Sequence, residues 1–291
     1  MEILIDKLSK HYGKKQALND VSVIIPEGMY GLLGRNGAGK TSLMRILATL
    51  QTQSSGTVIM NGISIYDKKS IRSMVGYLPQ DFSLYPNMGI YQAMDYLGVL
   101  SKIPGREQED RIRTLLEAVN LQDHYKTKIK ALSGGMRRRL GIAQALLHDP
   151  QILIVDEPTA GLDPEERIRF RNLLCEFAEN RIVILSTHIV EDIETTCQNV
   201  AVLNKGTLLF ADTTDELIRR ADGKVYIIEV SKKEIDRVKK KYQILSMQMG
   251  RTKIRCRILS DTMPSEICHR EEATLEDGYM ELLRAHEGVK P

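Results

Sequence analysis

One eight-residue segment constrains the fold of this chain more than any other. Residues 34–41 read Gly-Arg-Asn-Gly-Ala-Gly-Lys-Thr and fit the pattern GxxxxGK[ST]. Residues 29–33 before it form a short apolar run, and residues 41–50 after it carry apolar side chains at helical spacing. A loop between a strand and a helix can turn its backbone N–H groups inward and use the positive end of the helix dipole. The segment therefore predicts a phosphate-binding loop.

Two side chains at the end of this loop have chemistry suited to a nucleoside triphosphate. We expect the Lys40 ammonium to reach the β- and γ-phosphates and the Thr41 hydroxyl to ligate Mg²⁺. The alternative is a glycine-rich turn with a surface lysine. The flanking strand and helix favour the phosphate site, because the motif requires that context.

A second constraint comes from residues 152–157, which read Ile-Leu-Ile-Val-Asp-Glu. Four apolar residues predict a buried parallel strand that brings two carboxylates to its C-terminal edge, where sheets of this type bind ligands. We expect Asp156 to hold Mg²⁺ directly or through water, and Glu157 to polarise an attacking water as a general base. The alternative is a pair of acids that begin a loop before Pro158.

Short apolar strands alternate with helical patterns through most of the chain, which indicates an α/β domain with parallel strand pairing. Three more helices are predicted after residue 50, at 90–101, 106–120 and 136–148.

The pattern changes after about residue 220 and predicts a β-α-β-β-α appendage. We therefore expect one domain at 1–220 and a small α+β domain at 221–291. The elements named for the appendage are strands at 225–230 and 253–259 and helices at 231–242 and 274–285.

Composition excludes several classes of protein. The net charge is only +3, from 41 basic and 38 acidic residues, which is too balanced for nucleic-acid binding by bulk electrostatics. Four scattered cysteines argue against a disulfide framework or a zinc site. Apolar runs such as 182–185 are strand-length, and the N-terminus has no apolar signal core. We expect a soluble chain whose role at any membrane depends on a partner.

A second glycine-rich segment, Leu132-Ser133-Gly134-Gly135-Met136, stands at the start of a predicted helix. It predicts a second anion-binding helix N-terminus. One nucleotide is not expected to contact both this segment and Lys40 within one domain. A head-to-tail dimer that sandwiches ATP between the two loops would satisfy both.

With these motifs in this order, residues 1 to about 217 resemble the ATP-binding subunits of ABC (ATP-binding cassette) transporters. Residues 34–41 resemble the Walker A loop, 132–135 the signature motif and 152–157 the Walker B strand. Gln80, in Tyr-Leu-Pro-Gln, resembles the glutamine of the Q-loop. The segment Ala-Gly-Leu-Asp at 160–163 resembles the D-loop.

The resemblance also extends to His188 and Tyr12. His188, in Ser-Thr-His, matches the switch histidine, which would contact the γ-phosphate and orient Glu157. Tyr12 lies where the family has an aromatic residue that stacks on adenine, although a hairpin tyrosine that packs on its neighbours fits nearly as well. Gln80 would bridge Mg²⁺ or the attacking water and couple chemistry to the membrane partner. Asp163 would bind across the dimer.

The resemblance implies a site in which ATP and Mg²⁺ are bound and Glu157, His188 and Gln80 are catalytic. The implied magnesium ligands are Thr41, Gln80 and Asp156. The implied nucleotide contacts are Tyr12, Gly34, Asn36, Gly37, Ala38, Gly39, Lys40, Thr41, Ser42, Ser133, Gly134, Gly135 and Asp163. The run Arg137-Arg138-Arg139 after the signature is interpreted as a solvated or intersubunit face.

The implied fold is the P-loop NTPase fold of the ABC type. It has a mixed sheet core, an antiparallel β subdomain and a helical subdomain at about 82–148, followed here by the α+β domain at 221–291. That last domain is expected to serve dimerisation or regulation, with a purely stabilising role as the alternative.

The implied function is ATP hydrolysis that powers a separate transmembrane permease at the cytoplasmic face of the cell membrane. The second ATPase subunit would be another copy or a paralogue, and no nucleic-acid partner is expected. Residues 82–88 resemble exporter motors, and residues 273–279 resemble the tail of antibiotic and bacteriocin exporter subunits, although Gly278 replaces a bulkier residue. The alternative is a non-transport ABC ATPase with a regulatory, translation or repair role. Repair members need a long coiled coil, for which the stretch between Lys40 and Ser133 leaves no room.

Overall fold

The structure is a computed structural model that describes residues 1–159, 162–264 and 267–287. Contacts divide the chain into two compact units. The first contains Met1–Cys197 and Leu203–Leu208, and the second contains Gln198–Val202 and the chain from Leu209 onward. The second unit therefore begins before the predicted boundary at residue 220. It includes the helix at Thr214–Arg219, which packs on the last helix described in the chain.

The first unit alternates strands and helices, as the sequence predicts. Short 3-10 helices at Gln122–His124 and Ile129–Ala131 lie between its fourth and fifth α-helices. Its elements are β1 (Glu2–Tyr12), β2 (Lys15–Pro26), β3 (Gly28–Leu33), α1 (Lys40–Leu47), β4 (Ser55–Met60), β5 (Ile63–Ser64), α2 (Lys68–Met74), β6 (Val75–Leu78), α3 (Ile90–Leu100), α4 (Gly105–Ala118), α5 (Gly134–Leu146), β7 (Ile152–Asp156), α6 (Pro164–Phe177), β8 (Ile182–Thr187) and α7 (Val190–Thr196).

The rest of the chain begins with a hairpin whose tip, Leu203–Leu208, belongs to the first unit. The remaining elements are β9 (Asn199–Asn204), β10 (Thr207–Thr213), α8 (Thr214–Arg219), β11 (Val225–Ser231), α9 (Ile235–Lys241), β12 (Gln243–Met249), β13 (Lys253–Leu259), β14 (Cys268–Arg270) and α10 (Leu275–Glu287).

In the central sheet of the first unit, β3, β8, β7 and β6 lie in this order and pair in parallel. Every residue of β7 and β8 is buried, as expected for parallel strands covered on both faces. In register, Asp156 lies beside Ser186 and Leu33 beside Thr187. The phosphate loop, Gln80, Glu157 and His188 follow β3, β6, β7 and β8, so the parallel pairing brings them to one edge of the sheet.

A separate antiparallel sheet has the order β2-β1-β4-β5. Ile3 on β1 lies opposite Ile25 on one neighbour and Met60 on the other, and all three side chains are buried. These cross-strand pairs form its apolar face. With the helices α3, α4 and α5, this sheet confirms the expected antiparallel and helical parts of the fold.

Several helix boundaries differ from prediction, and two of these differences have a local cause. Helix α1 ends at Leu47 rather than residue 50, because Thr49 adopts a left-handed conformation with φ 57°. Helix α5 begins at Gly134, two residues early, because the Ser133 side chain accepts a hydrogen bond from the Met136 N–H and caps the helix.

The second unit is an antiparallel sheet, β12-β13-β11-β14, with helices packed on it. The observed order is the predicted β-α-β-β-α with one additional strand, β14, before the last helix. The prediction missed β14, which has only three residues. The helix predicted at 231–242 is shorter in the structure. Strand β11 extends to Ser231, and α9 spans Ile235–Lys241. The structure explains why residue 278 is glycine rather than the bulkier residue expected there. A Cβ on Gly278 would lie 2.0 Å from the Leu217 carbonyl oxygen. In the described ranges, no helix has the length and apolar character needed to cross a membrane.

Candidate nucleotide site

A cleft of about 500 Å³ opens over the phosphate loop in the first unit. It includes most of the predicted nucleotide-binding residues. Its lining residues are Tyr12, Lys15, Gln16, Ala17, Asn36, Gly37, Ala38, Gly39, Lys40, Thr41, Ser42, Gln80, Glu157, Lys205 and Gly206.

The phosphate loop depends on glycines for its shape. Gly39 has φ 111°, and a Cβ there would lie 2.6 Å from the Ala17 carbonyl oxygen. A Cβ on Gly34 would lie 2.4 Å from the Leu203 carbonyl oxygen. Gly39 is also the N-cap of α1 and supplies no side-chain hydrogen bond, so the first N–H groups of that helix are available to an anion.

Lys40 places a buried positive charge inside this loop. Its side chain is 5% exposed, and its Nζ donates a 2.6 Å hydrogen bond to the Gly34 carbonyl. The same Nζ lies 3.6 Å from Oε1 of Glu157. Burial lowers the pKa of Lys40, while the charges of Glu157 and Asp156 oppose that shift. The ammonium is therefore held beside the carboxylates at the edge of the sheet.

Asp156 is fully buried, and neither carboxylate oxygen has a hydrogen-bond partner of regular geometry among the described residues. Burial raises the pKa of Asp156, although the nearby hydroxyls of Thr41 and Ser186 act to lower it. An unpaired buried carboxylate is costly unless a ligand satisfies it. Because Thr41 adds a second oxygen ligand, the donor set fits a hard divalent cation such as Mg²⁺.

Glu157 is the point at which the predicted catalytic groups meet. Its Oε1 lies 3.3 Å from Nδ1 of His188, and its Oε2 accepts a 3.2 Å hydrogen bond from Nε2 of Gln80. Lys40 is the third neighbour of this carboxylate. The structure thus brings together Lys40, Gln80 and His188 around one buried acid, which is an arrangement suited to activating water.

The backbone of Glu157 is unusual for a residue with a side chain. Its φ is 48°, in the left-handed region, which costs roughly 1–2 kcal/mol. Its N–H donates a 3.0 Å hydrogen bond to the Ser186 carbonyl at the end of β8. Strain of this kind is concentrated at functional sites, where the surrounding contacts hold it.

Tyr12 lies at the edge of the cleft. Its hydroxyl contacts Gln51 and lies 3.5 Å from the Ser42 Oγ, while Lys10 Nζ is 5.0 Å from the ring centroid. These contacts fix the ring beside the phosphate loop. They accommodate both an adenine contact and simple packing on neighbours, so stacking on adenine stays a prediction.

The predicted signature residues and Asp163 of the predicted D-loop are not among the residues that line the cleft. Ser133 and Gly134 are exposed at the start of α5, and Gly135 packs against Glu166. Asp163 is exposed and caps α6 by accepting a 2.8 Å hydrogen bond from the Glu166 N–H. Residues 160 and 161 of the predicted D-loop lie outside the described residues.

Sequence reasoning missed several residues of this region. Lys15, Gln16 and Ala17 line the cleft from the start of β2, and Lys205-Gly206 lines it from the hairpin turn. Lys205 and Gly206 both have positive φ, and the sequence Asn-Lys-Gly at 204–206 is typical of such a turn. Nothing in the sequence indicates that this turn lies beside the phosphate loop.

The arginine run is a correction to the sequence interpretation. Arg137 is exposed, but Arg138 and Arg139 are half-buried and donate to backbone carbonyls. Arg139 also lies 3.3 Å from Glu166. A fully solvated face does not describe these two side chains, and the intersubunit alternative stays a prediction.

Comparison with known proteins identifies the family of this chain. The ABC transporter family model matches residues 18–160. An uncharacterised ABC transporter ATP-binding protein of Bacillus subtilis, YxlF, is 36% identical over 79% of this chain and 77% of its own length. The Nod factor export ATP-binding protein I of Cupriavidus pinatubonensis is 34% identical over 79% of this chain and 71% of its own.

A solved ATP-binding subunit of an ABC transporter has the same fold, with a TM-score of 0.70 and 26% identity over 76% of this chain and 93% of that one. The sequence relatives are similar over more than two thirds of their own length, and the solved subunit has the same fold. The chain therefore belongs to the ABC transporter family as an ATP-binding subunit, and it is an ATPase.

Proposed function

We propose that two copies of this chain close around ATP and drive a separate membrane-spanning exporter subunit. The observation that carries the proposal is the separation of two anion-binding elements on one chain. Lys40 lies inside the cleft, whereas Ser133 is exposed at the start of α5 and is not one of the cleft's lining residues. A second copy can supply the Ser133 helix to ATP bound at the first copy's Lys40.

The residues around the cleft have distinct roles in this proposal. Lys40 and the α1 N-terminus bind the phosphates. Thr41 and Asp156, with Gln80 nearby, would hold Mg²⁺, which neutralises charge on the phosphates when bound. Asp156 is the strongest candidate because its buried oxygens have no regular hydrogen-bond partner in the described structure.

Glu157 is the proposed general base. Its carboxylate accepts a proton from water as the water oxygen bonds to the γ-phosphorus and the bond to the β–γ bridging oxygen breaks, giving ADP and inorganic phosphate. His188 and Gln80 lie within 3.3 Å of the carboxylate and would orient it and the water. The charge of Lys40 would stabilise the transferred phosphoryl group.

The exporter assignment is supported by relatives. One relative is named for Nod factor export and another for linearmycin resistance. We place the chain at the cytoplasmic face of the membrane through its permease partner. The second unit would serve dimerisation or regulation.

Complementation tests the shared site. Lys40→Ala and Ser133→Arg variants are each expected to lose ATPase activity. Mixed together, they form dimers in which one site pairs an intact Lys40 with an intact Ser133, so part of the activity returns. Because that site needs both copies, recovery on mixing supports the dimer. Two inactive proteins that stay inactive when mixed at saturating ATP would contradict it.

The membrane partner needs a separate experiment. Tagged Glu157→Gln protein, purified from gently solubilised membranes of its native host with ATP present, is expected to bring a polytopic membrane protein in near-equal amount. Recovery of ribosomes or DNA-repair proteins without a membrane protein would favour the non-transport alternative.

A further inference from the structure

Arg138, on the signature helix α5, links the two segments that carry the proposed water-activating groups. Its Nη1 donates a 2.6 Å hydrogen bond to the Gln80 carbonyl, and its Nη2 donates a 2.9 Å hydrogen bond to the Glu157 carbonyl. We propose that Arg138 is a positioning residue for ATP hydrolysis, which holds the Gln80 and Glu157 backbones in their working arrangement.

The Glu157 backbone needs such support. Its φ of 48° is unfavourable for a residue with a side chain. The N–H is fixed on one side by the Ser186 carbonyl at the end of β8, and the C=O is fixed on the other by Arg138. The two hydrogen bonds clamp the peptide units on both sides of the Glu157 Cα. The direction of the Glu157 carboxylate follows from that clamp.

Gln80 is held by the same guanidinium. Its side chain donates to Glu157 Oε2 while its own carbonyl accepts from Arg138. Arg138, Gln80 and Glu157 therefore form a closed ring of contacts across three separate segments. Removing Arg138 frees both backbones at once and loosens the hydrogen bond between the two side chains.

Arginine suits this position for physical reasons. A planar guanidinium can donate from two terminal nitrogens in a fixed fork, which a lysine ammonium cannot reproduce. Arg138 is half-buried, and burial lowers its pKa while the charges of Asp81, Asp156 and Glu157 oppose that shift. A guanidinium stays protonated in proteins, so Arg138 donates from both terminal nitrogens.

The location of Arg138 on α5 gives the contact a further consequence, which rests on the proposed function. Ser133 caps the same helix, five residues earlier in sequence. If the Ser133 end of α5 binds ATP held by a second copy, any shift of the helix moves the Arg138 guanidinium. Hydrolysis then becomes sensitive to dimer closure through a single side chain.

Steady-state kinetics on Arg138→Ala and Arg138→Lys test the proposal. We expect kcat of Arg138→Ala to fall about 10- to 100-fold, the range caused by small misplacements of catalytic groups. KM for ATP should change by less than about twofold, because Lys40 and the phosphate loop are untouched. Arg138→Lys should recover part of kcat. Millimolar guanidinium ion should raise the rate of Arg138→Ala, a response that lost packing alone would not give.

Arg113→Gln is the matched control. Its side chain is 60% exposed and pairs with Glu109 on its own helix, α4. It should retain wild-type kcat and KM. In a Glu157→Gln background, Arg138→Ala should cause no further loss of turnover, because residues that act as one unit are not additive.

The outcomes separate this inference from the proposed function. Wild-type kcat in Arg138→Ala, or a raised KM with unchanged kcat, would overturn the positioning role even if Lys40 and Ser133 variants complement. A fall in kcat without complementation would keep Arg138 as a positioning residue and remove its link to the second copy. If Arg138→Ala fails to fold, wild-type kcat in folded Arg138→Lys at millimolar ATP would also refute the inference.

Discussion

Replacement of Asp192 by alanine should destabilise the first unit more than any single change on its surface. Asp192 is fully buried on α7. Its Oδ2 accepts a 2.6 Å hydrogen bond from the Thr159 hydroxyl, and its Oδ1 accepts a 2.8 Å hydrogen bond from Nε of Arg167. The Thr187 hydroxyl lies 3.5 Å from Oδ2. One carboxylate thus joins the segments after β7 and β8 to α6.

The loss of stability depends on the groups that lose their hydrogen-bond acceptor, Arg167 and Thr159. Breaking a buried ion pair by removing one partner typically costs about 3–5 kcal/mol. The Arg167 side chain is 22% exposed, so water can partly replace the lost carboxylate and reduce that cost. Thr159 is buried and loses its acceptor, which adds about 1–3 kcal/mol. We expect a net loss of roughly 3 kcal/mol, or a Tm lower by about 6–12 °C for a unit of this size.

Thermal unfolding followed by circular dichroism measures this loss, with Glu191→Ala as the control. Glu191 is the preceding residue, but its side chain is 63% exposed and lies 3.9 Å from Arg171, so its removal should cost less than about 0.5 kcal/mol. Equal Tm values for the Asp192 and Glu191 variants would refute the assignment of Asp192 as a buried organising carboxylate.

Two further changes probe the site and the second unit. Lys40→Ala should abolish nucleotide binding measured by calorimetry. Lys130→Ala, at an exposed side chain, should leave the affinity unchanged. If Lys40→Ala also kept wild-type affinity, Lys40 would not bind the phosphates. Gly278→Ala should lower stability by about 1–3 kcal/mol, because its Cβ would lie 2.0 Å from the Leu217 carbonyl oxygen. Gly105→Ala meets nothing within 4 Å and should be neutral or slightly stabilising in the same denaturant titration.

Most of the fold could be predicted because its signals are local. The apolar runs of β3, β7 and β8 and the phosphate-loop pattern need no long-range information. The errors occur where short-range signals conflict or are too weak. The Ser133 cap overrides the poor helix propensity of Gly134 and Gly135, and β14 is too short to show a strand pattern.

The candidate site was predictable as a set of residues but not as a geometry. Motifs identify Lys40, Gln80, Glu157 and His188 individually. Their convergence on one carboxylate depends on how the ends of four strands align. The role of Arg138 could not be predicted, because its two acceptors lie 58 and 19 residues away in sequence and are backbone atoms.

Asp156 shows how function competes with stability in this site. Its carboxylate is fully buried with no regular hydrogen-bond partner among the described residues, and an unpaired buried charge is penalised by desolvation. Asp156→Asn removes the charge at nearly the same volume. Without nucleotide and Mg²⁺, we expect the variant to be more stable than wild type by about 1 kcal/mol and to have almost no ATPase activity. A lower Tm for Asp156→Asn under those conditions would mean that Lys40, Thr41 and Ser186 already compensate the charge, and that the carboxylate is not held ready for a cation.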